Sequence, residues 1–207
     1  MIPHRNIRTF VYSRYRPGAR TIVRHEVGSL VLIEFALLTF KPKLIVELGT
    51  GHFGLTAIFH ETDLDIEIHS FDSTDYVGRA DLAGKRGLTN EEITTFKNKV
   101  FEDGRVKFYV EDILTENQKV VDLLKRPEKK LLYCDNGDKV KELSLYSKCL
   151  NKWDILGVHD WGFEGVDPKD PVVEKALDGF DYQHQVNDLF EERQCTSRFF
   201  VKECYIG

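Results

Sequence analysis

Leu44-Ile45-Val46-Glu47-Leu48-Gly49-Thr50-Gly51-His52-Phe53-Gly54 is the stretch from which the fold can be read. Leu44-Ile45-Val46 is apolar at every position, as in a parallel strand covered on both faces, and the run ends in a glycine-rich turn. Residues 53–60 fit a helix, because Gly54 permits close packing and Leu55, Ala57, Ile58 and Phe59 are apolar. Strand, tight turn and helix in that order open a parallel α/β unit.

The alternation recurs in both directions. Upstream, residues 27–40 carry apolar side chains at helical spacing until Lys41-Pro42 stops the pattern. Downstream, strands are expected at 66–71, 106–110, 131–134 and 155–158. Between them lie a polar loop at 73–87 and helices at 89–104, 120–124 and 139–150. Beyond Pro168 and Pro171, two helices (172–177 and 186–193) and a last strand (198–205) complete the chain. The order predicts a Rossmann-like, doubly wound, mostly parallel sheet flanked by helices on both faces, with an antiparallel C-terminal strand. Residues 27–207 read as one domain, preceded by a basic arm at 1–26.

Composition bounds the alternatives. At 207 residues, with 42% hydrophobic and 30% charged residues, the chain is long enough for a single core. Its most apolar run, residues 30–40, is shorter than a membrane span and contains Glu34. Cys134, Cys149, Cys195 and Cys204 lack metal or redox spacing and read as free thiols, which fits a reducing cytoplasm. Arg5, Arg8, Arg14, Arg16, Arg20 and Arg24 all precede the first acid, Glu26; removing these six positive charges from the formal −5 leaves −11 for the rest. Three readings of this arm stay open: a targeting segment, a solvated tail, or a cover over an anionic substrate. The acidic body argues against a nucleic-acid partner. A lone terminal strand at a sheet edge favours pairing or cover, which leaves a homo-oligomer open.

In an open parallel sheet, ligands bind at the carboxyl ends of the strands, where strand order reverses. Here the five successive strands run into Gly49-Thr50-Gly51, Asp72, Asp112, Asp135 and Asp160. Gly49 to Gly54 matches G-x-G-x-x-G, and Asp72 stands where a ribose-binding acid belongs. That pattern alone serves a nicotinamide site and an adenosylmethionine site equally. Glu47 separates them, because a carboxylate is repelled by a pyrophosphate and attracted by the ammonium of a methionine moiety.

On these residues the stretch resembles the first motif of the class I S-adenosylmethionine-dependent methyltransferases, and the likeness extends from about Val27 to Asp160. The resemblance implies that Glu47, Gly49, Thr50 and Gly51 hold the methionine part, with His52 and Phe53 walling the site. It further implies Asp72 at the ribose hydroxyls, Glu111 and Asp112 near the adenine, and Asp135 beside the cofactor. Residues 131–138 and 157–161 are similar to small-molecule O-methyltransferases, many of which use a divalent metal. Asp135 and Asp160, with Asn136, are then the implied ligands of a magnesium-type ion that acidifies the acceptor hydroxyl.

His159 stands where many of those proteins carry a carboxylate. Three uses of the His159-Asp160 pair stay open: metal site, general base at His159, or structure. Trp161 reads as bordering the acceptor opening or as packing. The expected activity is methyl transfer to a small acceptor, anionic or sugar-like. A nicotinamide-dependent oxidoreductase and a non-catalytic adenosylmethionine-binding protein are the alternatives. No G-x-S-x-G elbow, H-E-x-x-H pair or P-loop is present.

Overall fold

The computed structural model describes residues 25, 27–51, 53–62, 65–75, 91, 94, 98, 100–162, 165–189 and 195–203. The chain runs α1 (Val27–Phe40), β1 (Leu44–Leu48), α2 (Gly54–Glu61), β2 (Glu67–Asp72) and β3 (Val106–Val110). There follow α3 (Gln118–Leu124), β4 (Lys130–Cys134), α4 (Lys139–Tyr146), β5 (Ile155–Val158), α5 (Pro171–Ala176), β6 (Phe180–Tyr182), α6 (His184–Asn187) and β7 (Arg198–Lys202). The sheet order is β3-β2-β1-β4-β5-β7-β6. The first five strands pair in parallel, and β7 runs antiparallel to both β5 and β6.

Side-chain alternation along β1 assigns the two faces of the sheet. Leu44, Val46 and Leu48 join Leu132, Leu156 and Phe200 beneath α3, α4 and α5. Ile45 joins Ile68, Leu131, Tyr133 and Phe199 beneath α1 and α2. Glu47 shares the parity of Ile45, so its carboxylate lies on the α2 side. Gly157 follows from the same pairing. It sits in register with Tyr133 and Phe199, and a Cβ there would lie 2.5 Å from the Tyr133 ring and 2.9 Å from that of Phe199.

Local chemistry fixes the helix starts. Asn117 and Asp138 accept backbone N–H groups in the first turns of α3 and α4, and Asp170 does so for α5 with Pro171 behind it. At the amino end of the sheet, Lys130 Nζ meets Asp154 Oδ2 at 2.7 Å with both side chains buried. Cys134, Cys149 and Cys195 are free thiols.

Several expectations need correction. Strand β6 was not expected; at three residues it is too short to show a period. Because β6 pairs with β7, the C-terminal strand lies inside the sheet, and β6 takes the edge in its place. The helix expected over 186–193 is described as His184–Asn187, and residues 190–194 lie outside the described residues. So do residues 1–24 of the arm, most of the 73–87 loop and Cys204. Glu91, Thr94, Asn98, Val100 and Phe101 are helical, as expected for 89–104. Among the described residues no helix is long and apolar enough to cross a membrane.

Candidate functional site

Strand order reverses at β1, whose neighbours are β2 and β4, and the glycine turn leaves the sheet at that point. Gly49 has φ 93°, and a Cβ on it would lie 2.5 Å from Asn136 N and Asp135 O. Glycine therefore lets the segment after β4 lie against the turn, where Asp135 N–H donates to Leu48 O at 2.8 Å. Gly51, φ 54°, is the opposite case, because no described residue lies within 4 Å of where its Cβ would be. Among the described residues the turn is open on that side.

Asp72 closes the turn from β2. Its Oδ2 accepts Thr50 N–H at 3.0 Å and Gly51 N–H at 2.8 Å, and its Oδ1 accepts Thr74 N–H at 3.1 Å. Burial nevertheless pushes the Asp72 carboxyl above its usual range. Thr50 turns its hydroxyl inward to Phe71 O at 3.1 Å.

Glu47 lies beneath the turn and is fully buried. Its Oε2 accepts the hydroxyls of Thr56 at 2.6 Å and Ser70 at 2.5 Å. Burial pushes its carboxyl up to about 8, against the pull of those two hydroxyls. The structure thus commits one oxygen of Glu47 to α2 and β2 rather than to an open ligand site. Its Oε1 is buried with no hydrogen-bond partner among the described residues.

Phe53 is corrected as a wall of the site. At φ 62° it caps α2 with its ring in the core, edge-on to Phe101 and Phe108 at centroid distances of 5.4 and 4.8 Å. His52 lies outside the described residues. Glu111 is engaged by Lys119 and by Asn117 Nδ2, while Asp112 accepts Leu114 N–H at 2.8 Å within its own turn. Sequence reasoning overlooked Val110, which is 53% exposed and in register with Asp72. Trp161 packs on Phe200, with ring centroids 5.1 Å apart.

A second polar centre lies at the ends of β4 and β5. The register Cys134↔Val158 brings Asp135 and His159 side by side. His159 Nδ1 approaches Asp135 Oδ1 at 2.9 Å and Asp160 Oδ1 at 3.3 Å. Asp160 adopts φ 57°, a left-handed conformation. From the segment before α1, His25 places Nε2 3.0 Å from Asp135 Oδ2 and its ring 4.3 Å from that of His159. Burial opposes ionisation of Asp135, but His25 and His159 outweigh it and hold the carboxyl well below the usual carboxylate range. His25 was assigned to the arm; it is 3% exposed and belongs to the body of the fold.

Lys139, also unforeseen, decides the fit of a magnesium-type ion. Its Nζ lies 2.9 Å from Asp160 Oδ2, 2.8 Å from the Asn136 carbonyl and 3.8 Å from Asp135 Oδ1. Asp135, Asp160 and Asn136 therefore converge as the sequence expects, but on the chain's own ammonium. Burial lowers the proton affinity of Lys139, yet Asp160 and Asp135 more than restore it, so the group stays charged. An all-oxygen site for magnesium does not fit this arrangement.

No protein-family model matches the sequence, and no curated protein matches it. Solved structures do. One provisionally assigned as a caffeoyl-CoA O-methyltransferase, from Staphylococcus aureus, matches with TM-score 0.57 and 15% identity, over 95% of this chain and 90% of its own. An rRNA methylase from Streptococcus thermophilus gives 0.53 and 12%, over 89% and 99%. An S-adenosylmethionine-dependent O-methyltransferase from Thermotoga maritima gives 0.51 and 15%, over 95% and 71%. At these identities the likeness is one of fold, that of the class I methyltransferases.

Proposed function

We propose that this chain is an S-adenosylmethionine-dependent methyltransferase acting on an oxygen of a small acceptor, anionic or sugar-like. The observation that carries this reading is the glycine turn at the reversal of strand order, open above Gly51 among the described residues and closed from β2 by Asp72. The charge around that turn supports it. Asp72, Asp135 and Asp160 surround the strand ends with Lys139 as the paired cation, so a diphosphate is repelled and a sulfonium with an ammonium is attracted. The whole group of acids sets this sign, since Glu47 has one oxygen already committed.

When bound, S-adenosylmethionine supplies a methyl group already activated by the sulfonium, with a neutral thioether as leaving group. The chain then has to bind, orient and acidify. Asp72 stands where the ribose hydroxyls would lie and would share its oxygens between them and the N–H groups of the turn. Glu111, Asp112 and the exposed Val110 line the adenine side, and the buried Oε1 of Glu47 lies beneath the methionine end. Asp135, His159 and Asp160 face the acceptor oxygen; as that oxygen attacks the methyl carbon and the thioether leaves, its proton passes to a carboxylate or imidazole of this group. The arm's arginines supply the charge that an anionic acceptor needs.

Calorimetric titration tests the assignment. Adenosylmethionine should bind saturably and reduced nicotinamide dinucleotide should not. Asp72→Ala should weaken adenosylmethionine binding at least tenfold, while Asp160→Ala should retain it and lose turnover. Tight binding of the dinucleotide without adenosylmethionine binding would overturn the proposal.

A further inference from the structure

The second polar centre holds three residues that a metal ion can use. His25, Asp135 and His159 each present one donor atom, and the three donors lie within 4.8 Å of one another. Protein ligands about 2.0–2.2 Å from a tetrahedral ion stand roughly 3.3–3.6 Å apart. His159 Nδ1 lies 2.9 Å from Asp135 Oδ1 and His25 Nε2 lies 3.0 Å from Asp135 Oδ2, so each imidazole now contacts its own oxygen of the carboxylate, and an entering ion would replace these contacts and part the donors by a few tenths of an ångström. The three come from separate segments, one before α1, one after β4 and one after β5, and each is fixed by its surroundings. His159 N–H is tied to Cys134 O at 3.1 Å, and Asp135 N–H to Leu48 O at 2.8 Å. His25 and His159 are 3% and 8% exposed.

We infer that His25, Asp135 and His159 form a binding site for one divalent first-row transition ion of the zinc or cobalt type, and that the site discriminates against magnesium. The donor set gives the selectivity. Two imidazoles and one carboxylate suit zinc, cobalt or iron, whereas magnesium demands near-octahedral oxygen ligation. The oxygen donors next door, Asp160 and the Asn136 carbonyl, are held by Lys139, so they cannot complete an oxygen shell. Charge permits a cation. With neutral imidazoles, Asp135 and Asp160 against Lys139 leave the cluster one charge negative.

Among the described residues the site supplies three ligands, which leaves a fourth tetrahedral position to be filled, as in catalytic rather than structural zinc sites. An acceptor hydroxyl taking that position would be acidified by the ion. This use rests on the methyltransferase reading; binding of the ion does not.

The test uses the full chain stripped by chelator dialysis. Cobalt chloride should bind at one ion per chain with visible ligand-field bands. Zinc chloride should displace it, and magnesium chloride should bind at least a hundredfold more weakly in calorimetry. His25→Ala and His159→Ala should each weaken cobalt binding at least tenfold, with the melting temperature measured in chelator showing whether the variant folds. His25→Gln serves if His159→Ala does not. Absence of saturable cobalt binding, or binding that survives both histidine substitutions, would overturn the inference. An ion bound at this site with no adenosylmethionine affinity would sink the methyltransferase reading alone; adenosylmethionine affinity without ion binding would sink the ion site alone.

Discussion

Single side chains set the electrostatics of both centres, and Lys139 is the clearest case. Its ammonium holds the two oxygen donors that magnesium would need, so Lys139→Ala should raise magnesium affinity of the chelator-treated protein at least tenfold by calorimetry. No gain in that variant would mean that Lys139 does not set the selectivity. Glu47 makes a prediction about pH. In the folded protein its carboxyl keeps a proton up to about 8, against 4.5 for an ordinary glutamate. Between those values the folded state binds the extra proton, so stability falls as pH rises through the window and levels off above it. Glu47→Gln removes the titration. Its melting temperature relative to the parent should therefore climb between pH 5 and pH 8.5, and a pH-independent difference would refute the raised carboxyl. Phe53 shows where reading residues one at a time fails. Its place after Gly51-His52 matched a ligand wall, but a left-handed φ at the helix start turns its ring to Phe101 and Phe108, which lie some fifty residues away in sequence.

Whole elements were the most legible part of the sequence, because the physics that forms them is local. The apolar runs of β1, β4 and β5, the glycine turn after β1 and the acids after β4 and β5 are visible without any long-range information. Strand β6 was not, since its pairing partner β7 is supplied from further along the chain. Pairing also explains Gly157, whose α-hydrogen faces the rings of Tyr133 and Phe199. Gly157→Ala should cost about 1–3 kcal/mol of unfolding free energy by overpacking, read from denaturant curves. Unchanged stability there would place the two rings elsewhere. At the far end of the same strands, Lys130 and Asp154 form a fully buried pair. Lys130→Met strands the Asp154 carboxylate and should cost about 3–5 kcal/mol, yet it should leave adenosylmethionine affinity unchanged because the pair sits at the opposite end of the sheet. A parallel loss of affinity would show that the two ends are coupled.

At the scale of the molecule, the candidate site is assembled from segments far apart in sequence, and this limits what could be read in advance. Asp72, Asp135 and Asp160 announce themselves by following strands. His25 carries no such signal, because it sits among arginines in a stretch that reads as a tail, and only the fold brings it to Asp135, 110 residues later. His25 therefore packs at the strand ends, although the sequence places it within the arm. Two truncations separate the alternatives. A chain starting at His25 keeps all three donors and should bind cobalt as the full chain does, whereas one starting at Val27 should lose at least tenfold in affinity. Both should melt within a few degrees of each other in chelator, since α1 is intact in each. Equal cobalt affinity in the two chains would place His25 outside the ion site and return it to the arm.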